Sequence, residues 1–522
     1  MGSKLGMTPT ERAINQLPDH LRAYVVKQNY DQYTPRDHAV WRHILTRLRK
    51  ELKHSAHPDY IEGLSRTGIS INRIPSLDEM NMCLEDIGWT AVAVRGFIPP
   101  AVFTELQSRS VLAIAEDIRD HRHIGYTPAP DIVHESAGHS PILINKKYAR
   151  YVQKCGSLGF KAIASREDFA VFEAIRNLSI IKENPNSSEY QIREAETKLI
   201  SASTSHRYIS ENTKASRLYW WTAEYGLVGS LNDPKLFGAG LLSSIQEAEH
   251  ARTNKVKKVS LSLECIEKAY DITTMQPQLF VARDFDHLFE VLEEFEATLS
   301  FTRGGVYALS EAKRAETIVH IELDGDRSLS GQVVDFVHTT TNTLIYLKGP
   351  SLIEYNSKEY KFDHGPTLLL WQHIPSTVSG TINLSLDQNY LAGFLKDDVL
   401  TDIKTDHPIL KEIIQGTSAQ FISSLTLNSI GGGPKNPTLW EKLVPTKSSF
   451  IYEEGELKVR DAKIKDLDPK LSRIYNDLNQ MIFKGKIDRQ KLEALTIDAS
   501  EFPSEWLLHS QIDDYKSFGE IA

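Results

Sequence analysis

The chain has 522 residues and a net charge of −9, and 41% of its residues are hydrophobic and 25% charged. Its length predicts two to four domains. The acidic balance without long Lys/Arg runs argues against a nucleic-acid partner, and no apolar run reaches the ~18 residues needed to span a membrane. The first residues lack the apolar core of a signal peptide. Three widely spaced cysteines, with no C-x-x-C pair, argue against a disulfide framework and for the cytoplasm.

Residues 8 to about 85 show helical periodicity. Thr34 followed by Pro35 is typical of a helix start, because threonine caps free N–H groups and proline fits the first turn. At the pair Pro99-Pro100 the segment "PAVFTELQ" predicts another helix, whereas the following "SVLAIAEDIR" is compatible with helix or strand. From residue 142 to 300 the patterns are again mostly helical.

The pattern changes after residue 304. Short β-branched runs from Thr317 to about Ser385, separated by Gly, Asn and Asp, predict an antiparallel sheet, either a small sandwich or a barrel. Residues 406–424 and 463–520 return to helical periodicity. The loop between them, "NSIGGGPKNP", lacks the GK[ST] of a phosphate-binding loop and is more typical of a flexible turn.

Residues 130–143 read "PDIVHESAGHSPIL" and contain two histidines, His134 and His139, spaced five apart. On an α-helix five residues turn the chain to about 140° from the starting direction, whereas a zinc protease needs two histidines at i, i+4. The spacing therefore excludes an unbroken helix with both ligands on one face. We expect Asp131 to cap a short helix that Gly138 ends in the left-handed conformation, so that His139 turns back toward His134.

A third ligand is expected in "RLYWWTAEYGL", residues 217–227. If this segment is α-helical, one stripe of it carries Ser216, Trp220, Glu224 and Leu227. A carboxylate on an apolar, aromatic face is costly to bury unless it is paired or binds a metal. Two histidines and one carboxylate on one side of a metal form the ligand set of non-haem Fe(II) oxygenases.

The segments "YTPAPDIVHESAGHSPIL", "YWWTAEYGL" and "FGAGLLSSIQE", in this order, resemble the pterin-dependent aromatic amino acid hydroxylases, most of all bacterial phenylalanine 4-hydroxylases. The flanking "GWTAVAVRGFIPPAVFTEL" and "DITTMQPQLFVARDFDHLFEVLEEF" are also similar. The resemblance implies a mainly α catalytic domain with short strands. We expect the chain to comprise an N-terminal extension (1–29), this catalytic domain (30–303), a β-rich domain (304–400) and a mainly helical C-terminal region (401–522).

The resemblance also implies a role for particular residues. The metal ligands, and thus the catalytic residues, would be His134, His139 and Glu224, which would hold Fe(II). Arg119 would pair with the substrate carboxylate, since a guanidinium binds it in a bidentate manner. The remaining substrate contacts would be Thr127, Pro130, Trp220, Gly240 and Ser243. A tetrahydropterin such as tetrahydrobiopterin would stack on Phe103 and be surrounded by Ile98, Glu135, Ser216 and Tyr219. O₂ would be the co-substrate.

These roles constrain the segment that was compatible with helix or strand. An unbroken helix would separate Phe103 from Arg119 by about 24 Å, which is too far for one pocket. We therefore predict a break near Gln107–Ser110, with "VLAIA" extended.

The chain departs from the family pattern in two places. The stretch between His139 and Glu224 is about twice as long as in the family, and the excess, about residues 161–210, predicts a helical hairpin. This insert could be a surface decoration, a contact in a homo-oligomer or a lid over the substrate. The C-terminal region could also mediate a homo-oligomer contact. Second, Ser136-Ala137 replace bulkier apolar residues, which bears on the choice of substrate.

The expected substrate is free L-phenylalanine, hydroxylated to L-tyrosine. Ile272 stands at the position where, by the resemblance, the tyrosine hydroxylases of the family carry an acidic residue, and an apolar residue there favours phenylalanine or tryptophan. Trp220 resembles the residue of phenylalanine hydroxylases at its position. A hydrophobic pocket separates near-isosteres by only about 1–3 kcal/mol, so tryptophan and other ring positions stay open. Two alternatives belong to other classes. A zinc hydrolase using Glu135 has the wrong histidine spacing, and a non-catalytic metal-binding scaffold should have lost a ligand or Arg119.

Overall fold

A computed structural model describes residues 6–121, 124–125, 131–183, 187–272, 274–355, 358–362, 366–375, 377–414, 416–433, 451–453, 456–458, 467–485 and 488–518. The chain divides into two compact units. Unit 1 comprises Met1–Ser157, Arg217–Leu292 and Lys447–Ala522, and unit 2 comprises Leu158–Ser216 and Glu293–Thr446. Over the described ranges, no helix combines the length and the apolar character needed to cross a bilayer.

The α-helices, in chain order, are α1 (Pro9–Gln16), α2 (Asp19–Arg22), α3 (Pro35–Leu52), α4 (Asp59–Arg66), α5 (Leu77–Leu84), α6 (Pro100–Ser108), α7 (Lys146–Lys161), α8 (Arg166–Glu183), α9 (Glu189–Thr204), α10 (Glu211–Tyr219), α11 (Ala239–Ser243), α12 (Ile245–Arg252), α13 (Phe285–Glu296), α14 (Ser300–Arg303), α15 (Gly305–Ala315), α16 (Pro408–Ile413), α17 (Pro469–Phe483), α18 (Arg489–Ala499) and α19 (Trp506–Phe518). Two π-helical turns interrupt this pattern, π1 (Val133–Gly138) and π2 (Trp220–Glu224).

The strands are β1 (Thr90–Val94), β2 (Val111–Ala115), β3 (Leu227–Gly229), β4 (Pro234–Leu236), β5 (Lys257–Ser260), β6 (Gln278–Ala282), β7 (Ile318–Leu323), β8 (Arg327–His338), β9 (Thr343–Tyr355), β10 (Lys358–Phe362), β11 (Thr367–Trp371), β12 (Gly380–Leu386), β13 (Asn389–Lys396), β14 (Val399–Thr405), β15 (Ala419–Ser424), β16 (Leu427–Gly431), β17 (Ile451–Glu453) and β18 (Glu456–Lys458).

Unit 1 is mainly helical with short strands, as the sequence predicts. The predicted start of α3 is confirmed, because the Thr34 side chain accepts the N–H of Asp37 and Pro35 occupies the first turn. The predicted break after α6 is also confirmed: Ser110 has a positive φ of 59°, and the next five residues form β2, parallel to β1. The second sheet of this unit has the order β4-β3-β6-β5.

The C-terminal helices α17 and α19 pack on α3 inside unit 1. The buried guanidinium of Arg42, on α3, donates from Nη2 to the side-chain oxygens of Asn479 at 2.6 Å and Gln511 at 2.7 Å. The helical character predicted for residues 463–520 is confirmed over its described part by α17–α19, whereas residues 463–466, 486–487 and 519–520 lie outside the described residues. These helices therefore complete the core of the unit that carries the described predicted site residues except Ser216, which belongs to unit 2.

Unit 2 contains a ten-stranded sheet whose main path runs β12-β13-β14-β15-β11-β9-β8-β7-β16. All described pairings in it are antiparallel except β11 with β15, which is parallel. The sheet continues to Gly431, so the predicted end of the β-rich region at residue 400 is too early. Residues 406–424 were expected to be helical, but only α16 is, and β15 follows it. Because β15 is central and buried on both faces, it has no polar alternation that would mark it as a strand.

The predicted insert at 161–210 contains the two expected helices, α8 and α9. Ser188 caps α9 by accepting the N–H of Gln191. Ala195 is buried on α9, whereas Tyr190 and Ile200 are exposed to 75% and 65%. Its role, as decoration, subunit contact or lid, stays a prediction, as do the domain boundaries at 29 and 303.

Candidate active site

The two histidines meet because the chain between them forms a π-turn. His134 lies within π1 and His139 directly follows it. In a π-helix the hydrogen bonds run from i to i+5, so residues five apart share a face. The two imidazole centroids lie 5.0 Å apart. The predicted left-handed conformation of Gly138 is wrong, since it belongs to π1; glycine is needed there because a Cβ would lie 2.8 Å from the carbonyl oxygen of Ala239.

Glu224 ends π2 and completes a cluster of three ligand groups. Its Oε2 lies 3.3 Å from Nε2 of His134, and its Oε1 lies 3.1 Å from Nε2 of His139. One ligand atom from each residue falls within 4.8 Å of the others. The predicted α-helical stripe through Ser216 and Leu227 is wrong, because the helix widens into π2 after Tyr219 and Leu227 begins β3.

Ser243 orients His134. The Ser243 hydroxyl donates to the carbonyl oxygen of Ala239 at 2.7 Å, and its Oγ lies 3.0 Å from Nδ1 of His134. Because the serine proton is used on Ala239, Oγ accepts from the Nδ1–H of the imidazole. With Nδ1 bonded in this way, Nε2 is the atom that His134 would offer to a metal, since the hydrogen bond at one ring nitrogen orients the other toward the metal.

The donor set fits a divalent transition metal. His139 is buried, and its Nε2 atom has no hydrogen bond of good geometry among the described residues. Two imidazole nitrogens and one carboxylate, grouped on one side, form the facial triad that binds non-haem Fe(II). Nε2 of His139 therefore faces Oε1 of Glu224 at 3.1 Å without a well-directed hydrogen bond, and a metal ion held by both atoms would satisfy this buried nitrogen.

The two carboxylates of the site have opposite electrostatic surroundings. Burial alone would raise the pKa of Glu224, but the imidazoles of His139 and His134 hold it well below its usual range. Burial, together with the charges of Glu224 and Asp131, raises the pKa of Glu135 to about 8. Glu224 is therefore the carboxylate that its surroundings favour in the ionised form, whereas Glu135, whose Oε2 lies 3.9 Å from Nε2 of His139, lies where burial favours the protonated form.

Arg119, expected to bind the substrate carboxylate, is held by Asp131. Its Nε and Nη2 donate to the two oxygens of Asp131 at 2.7 and 2.8 Å, and both side chains are buried. Nη1 is less engaged, because its contacts to the carbonyl oxygens of Ile124 and Ser243 are 3.5 and 3.4 Å long. The expected cap is confirmed in part: Asp131 accepts the backbone N–H of His134 at 3.1 Å.

Phe103 and Tyr219, two predicted pterin residues, lie in contact. Their ring centroids are 5.8 Å apart in an edge-to-face arrangement, and the Tyr219 ring stacks on that of His139 at 6.5 Å. Gln107, on α6, donates from Nε2 to the Tyr219 hydroxyl. The metal cluster and the aromatic wall predicted for the pterin are therefore adjacent.

Trp220, expected to contact the substrate ring, stacks on two protein rings, Tyr270 at 4.2 Å and Tyr225 at 4.6 Å. Gly240 lies on α11 beside this group, and a Cβ at Gly240 would approach the Tyr225 ring to 2.8 Å. The indole N–H of Trp220 is buried without a hydrogen-bond partner among the described residues. A polar group of a ligand would satisfy it.

The other predicted residues are placed as follows. Ile98 is buried just before α6, and Ser216 is half-buried on α10. Thr127 and Pro130 lie outside the described residues. The sequence did not identify Asp131 as the partner of Arg119. It also did not identify Gln107 as a support of Tyr219, or Tyr151, whose hydroxyl donates to Oγ1 of Thr222 on π2. A buried arginine needs a nearby acidic partner, so Asp131 could have been predicted from the sequence. No local sequence pattern points to Gln107 or Tyr151.

A comparison with known families then identifies the chain. The model of the biopterin-dependent aromatic amino acid hydroxylases matches residues 23–191 and 185–307. The chain belongs to this family. It is an aromatic amino acid monooxygenase that depends on biopterin. The two matched segments meet at residues 185–191, inside the insert.

Similar proteins include bacterial enzymes named phenylalanine-4-hydroxylase. The one from Pseudomonas aeruginosa is 29% identical over 277 residues, which cover 52% of this chain and 88% of that protein. The one from Chromobacterium violaceum is 28% identical over 272 residues, which cover 51% and 76%. A crystal structure of the latter enzyme with iron(III) and 7,8-dihydrobiopterin aligns with 57% of this chain and 92% of that one, at 24% identity and a TM-score of 0.42.

Proposed function

We propose that this hydroxylase binds Fe(II) through His134, His139 and Glu224 and converts free L-phenylalanine into L-tyrosine with a tetrahydropterin and O₂. The observation that carries the metal assignment is the convergence of two imidazole nitrogens and one carboxylate oxygen within 4.8 Å. The relatives named phenylalanine-4-hydroxylase support the substrate. Iron and the pterin, when bound, would supply the reduction of O₂ and the transfer of one oxygen atom to the ring.

The residues of the chain would hold and orient the reactants. Arg119, held by Asp131, would present Nη1 to the substrate carboxylate, and the 3.0 Å contact of Ser243 with His134 would join the substrate side to the metal side. Phe103, Tyr219, Ile98, Glu135 and Ser216 would line the pterin side. Thr127, Pro130, Trp220 and Gly240 would complete the substrate side, with Trp220 kept in place by Tyr225 and Tyr270. Exclusion of water would strengthen each of these polar contacts.

The test is anaerobic reconstitution with Fe(II), followed by O₂ and a tetrahydropterin, with phenylalanine, tyrosine and tryptophan supplied separately. Products are identified by mass, and the ring position by comparison with authentic tyrosine isomers. We expect pterin-dependent gain of one oxygen on phenylalanine at the para position. Oxygen gain on tryptophan, or at another ring carbon, would overturn the substrate assignment and leave the chemistry intact.

A metal measurement tests the ligand assignment separately. His134→Ala should abolish both hydroxylation and stoichiometric iron, because it removes one of three ligands. His250→Ala, which changes a half-buried histidine on α12, should retain both. Full iron content and activity in His134→Ala would show that the metal is held elsewhere.

A further inference from the structure

Two side chains of α6 converge on one tyrosine. Phe103 and Gln107 are four residues apart and so share a face of the helix. The Phe103 ring meets the Tyr219 ring edge-to-face at 5.8 Å, and Nε2 of Gln107 donates to the Tyr219 hydroxyl. Tyr219 also contacts the metal cluster, because its ring stacks on the imidazole of His139.

The Gln107 side chain has little freedom to move. It is 1% exposed, and α7 approaches it so closely that a Cβ at Gly156 would lie 2.7 Å from the Cβ of Gln107 and 2.6 Å from the N atom of Ser108. Nε2 of Gln107 donates to the Tyr219 hydroxyl, whereas Oε1 of the same amide is buried and has no hydrogen-bond partner among the described residues. A buried amide held by one hydrogen bond makes that bond costly to lose.

We propose that Gln107 is a positioning residue for the pterin: by holding the Tyr219 hydroxyl it sets the Tyr219 ring between Phe103 and His139. This inference rests on the proposed function, since it assigns the pterin to the wall formed by Phe103 and Tyr219. Gln107 acts through Tyr219. Losing the hydrogen bond would let the tyrosine ring rotate away from the position that supports the pterin, while leaving the three metal ligands in place.

The first experiment measures binding of a non-reactive dihydropterin, 7,8-dihydrobiopterin, to the full-length protein loaded with Co²⁺. Gln107→Leu should weaken this binding about three- to ten-fold, the change expected when one buried hydrogen bond is lost. The matched control is Gln153→Leu. Gln153 is exposed on α7 and also donates to α6, at the Ser108 carbonyl oxygen, but does not contact Tyr219. Its dihydropterin affinity should stay within about two-fold of that of the wild type.

Kinetics of the iron enzyme then separate positioning from general damage. In Gln107→Leu the KM for tetrahydropterin should rise by the same factor as the dihydropterin dissociation constant. The KM for phenylalanine and the Co²⁺ affinity should change less than two-fold. Equal rises in both KM values would indicate a loosened active site and would overturn the specific role.

A double-mutant cycle with Tyr219→Phe tests the hydrogen bond itself. Each single variant leaves one buried polar group unpaired, whereas the double variant removes both partners. Dihydropterin affinity and the free energy of unfolding of the double variant should therefore be no lower than those of the worse single variant. Strictly additive losses would overturn the proposal even if Gln107→Leu is impaired.

The outcomes also distinguish this inference from the proposed function. A wild-type protein that binds dihydropterin and hydroxylates phenylalanine, with Gln107→Leu binding equally well, overturns the role of Gln107 alone. A wild-type protein that neither binds the pterin nor hydroxylates an amino acid overturns both.

Discussion

Asp131 accepts the Nε–H and Nη2–H of Arg119 and, with the same carboxylate, the backbone N–H of His134. One buried acid therefore connects the residue proposed for substrate binding with a proposed metal ligand. The aspartate therefore holds the Arg119 guanidinium and the backbone of His134, the second residue of π1, at the same place.

Asp131→Asn should be strongly destabilising, because it leaves a buried guanidinium without its countercharge; the expected loss is about 3–5 kcal/mol. Urea denaturation measures it. The matched variant is Asp19→Asn, which removes an exposed acid paired with Arg22 and should cost less than about 1 kcal/mol. Similar small losses in both variants would show that the Arg119 charge is balanced by another group.

Tyr151→Phe should weaken metal binding without touching a ligand. The Tyr151 hydroxyl donates to Oγ1 of Thr222 at 2.7 Å, two residues before Glu224 on π2. Loss of such a supporting contact typically costs about 10-fold or more in metal affinity. A Co²⁺ titration followed by absorbance measures it. Tyr60→Phe, which removes a buried hydroxyl bonded to the Leu242 carbonyl oxygen, should reduce stability but retain Co²⁺ affinity. Equal Co²⁺ affinities of Tyr151→Phe and the wild type would contradict the prediction.

His43 should make the protein less stable in mild acid. Burial lowers the pKa of His43 to about 4. Between about pH 6.5 and pH 4 the unfolded histidine binds a proton that the folded one does not, so stability falls as the pH falls through this window, by roughly 1–3 kcal/mol. Urea denaturation at several pH values measures this slope. His43→Leu should reduce this slope, and an unchanged slope in that variant would contradict the prediction.

Asn479→Ala tests whether the C-terminal helices stabilise the catalytic unit. The side chain accepts from Arg42 and donates to the Pro35 carbonyl oxygen at 2.8 Å, so its loss leaves a buried charge less well bonded. We expect a loss of about 1–3 kcal/mol in the free energy of unfolding. Gln480→Ala, at the exposed neighbouring position of α17, should change it by less than about 0.5 kcal/mol. Equal effects would contradict a specific role for the Arg42 contact.

The sequence predicted which three residues would come together, His134, His139 and Glu224, but it did not predict the local geometry that brings them together. Spacing correctly excluded an α-helix with His134 and His139 on one face. A π-turn was not foreseen, because it depends on tertiary packing, here the close approach of α11 to Gly138, rather than on a local residue preference. The same holds for Glu224, whose expected α-helical stripe ends where π2 begins.

The break after α6 was predictable because one distance decided it. Phe103 and Arg119 could not share a pocket on a continuous helix, and the structure has a strand between them. The helix expected over residues 406–424 failed for the opposite reason. A central strand such as β15 is identified by its partners, β11 and β14, which lie far away in sequence.

The packing of α17 and α19 on α3 has a consequence for synthesis in the cell. Helix α3 begins at Pro35, and the helices that pack on it begin at Pro469 and Trp506. These contacts therefore join residues that are separated by almost the whole chain. Such long sequence separation slows folding. The core of unit 1 is therefore incomplete until α19 has been translated. Until then the apolar side of α3 is exposed in the growing chain and prone to aggregation.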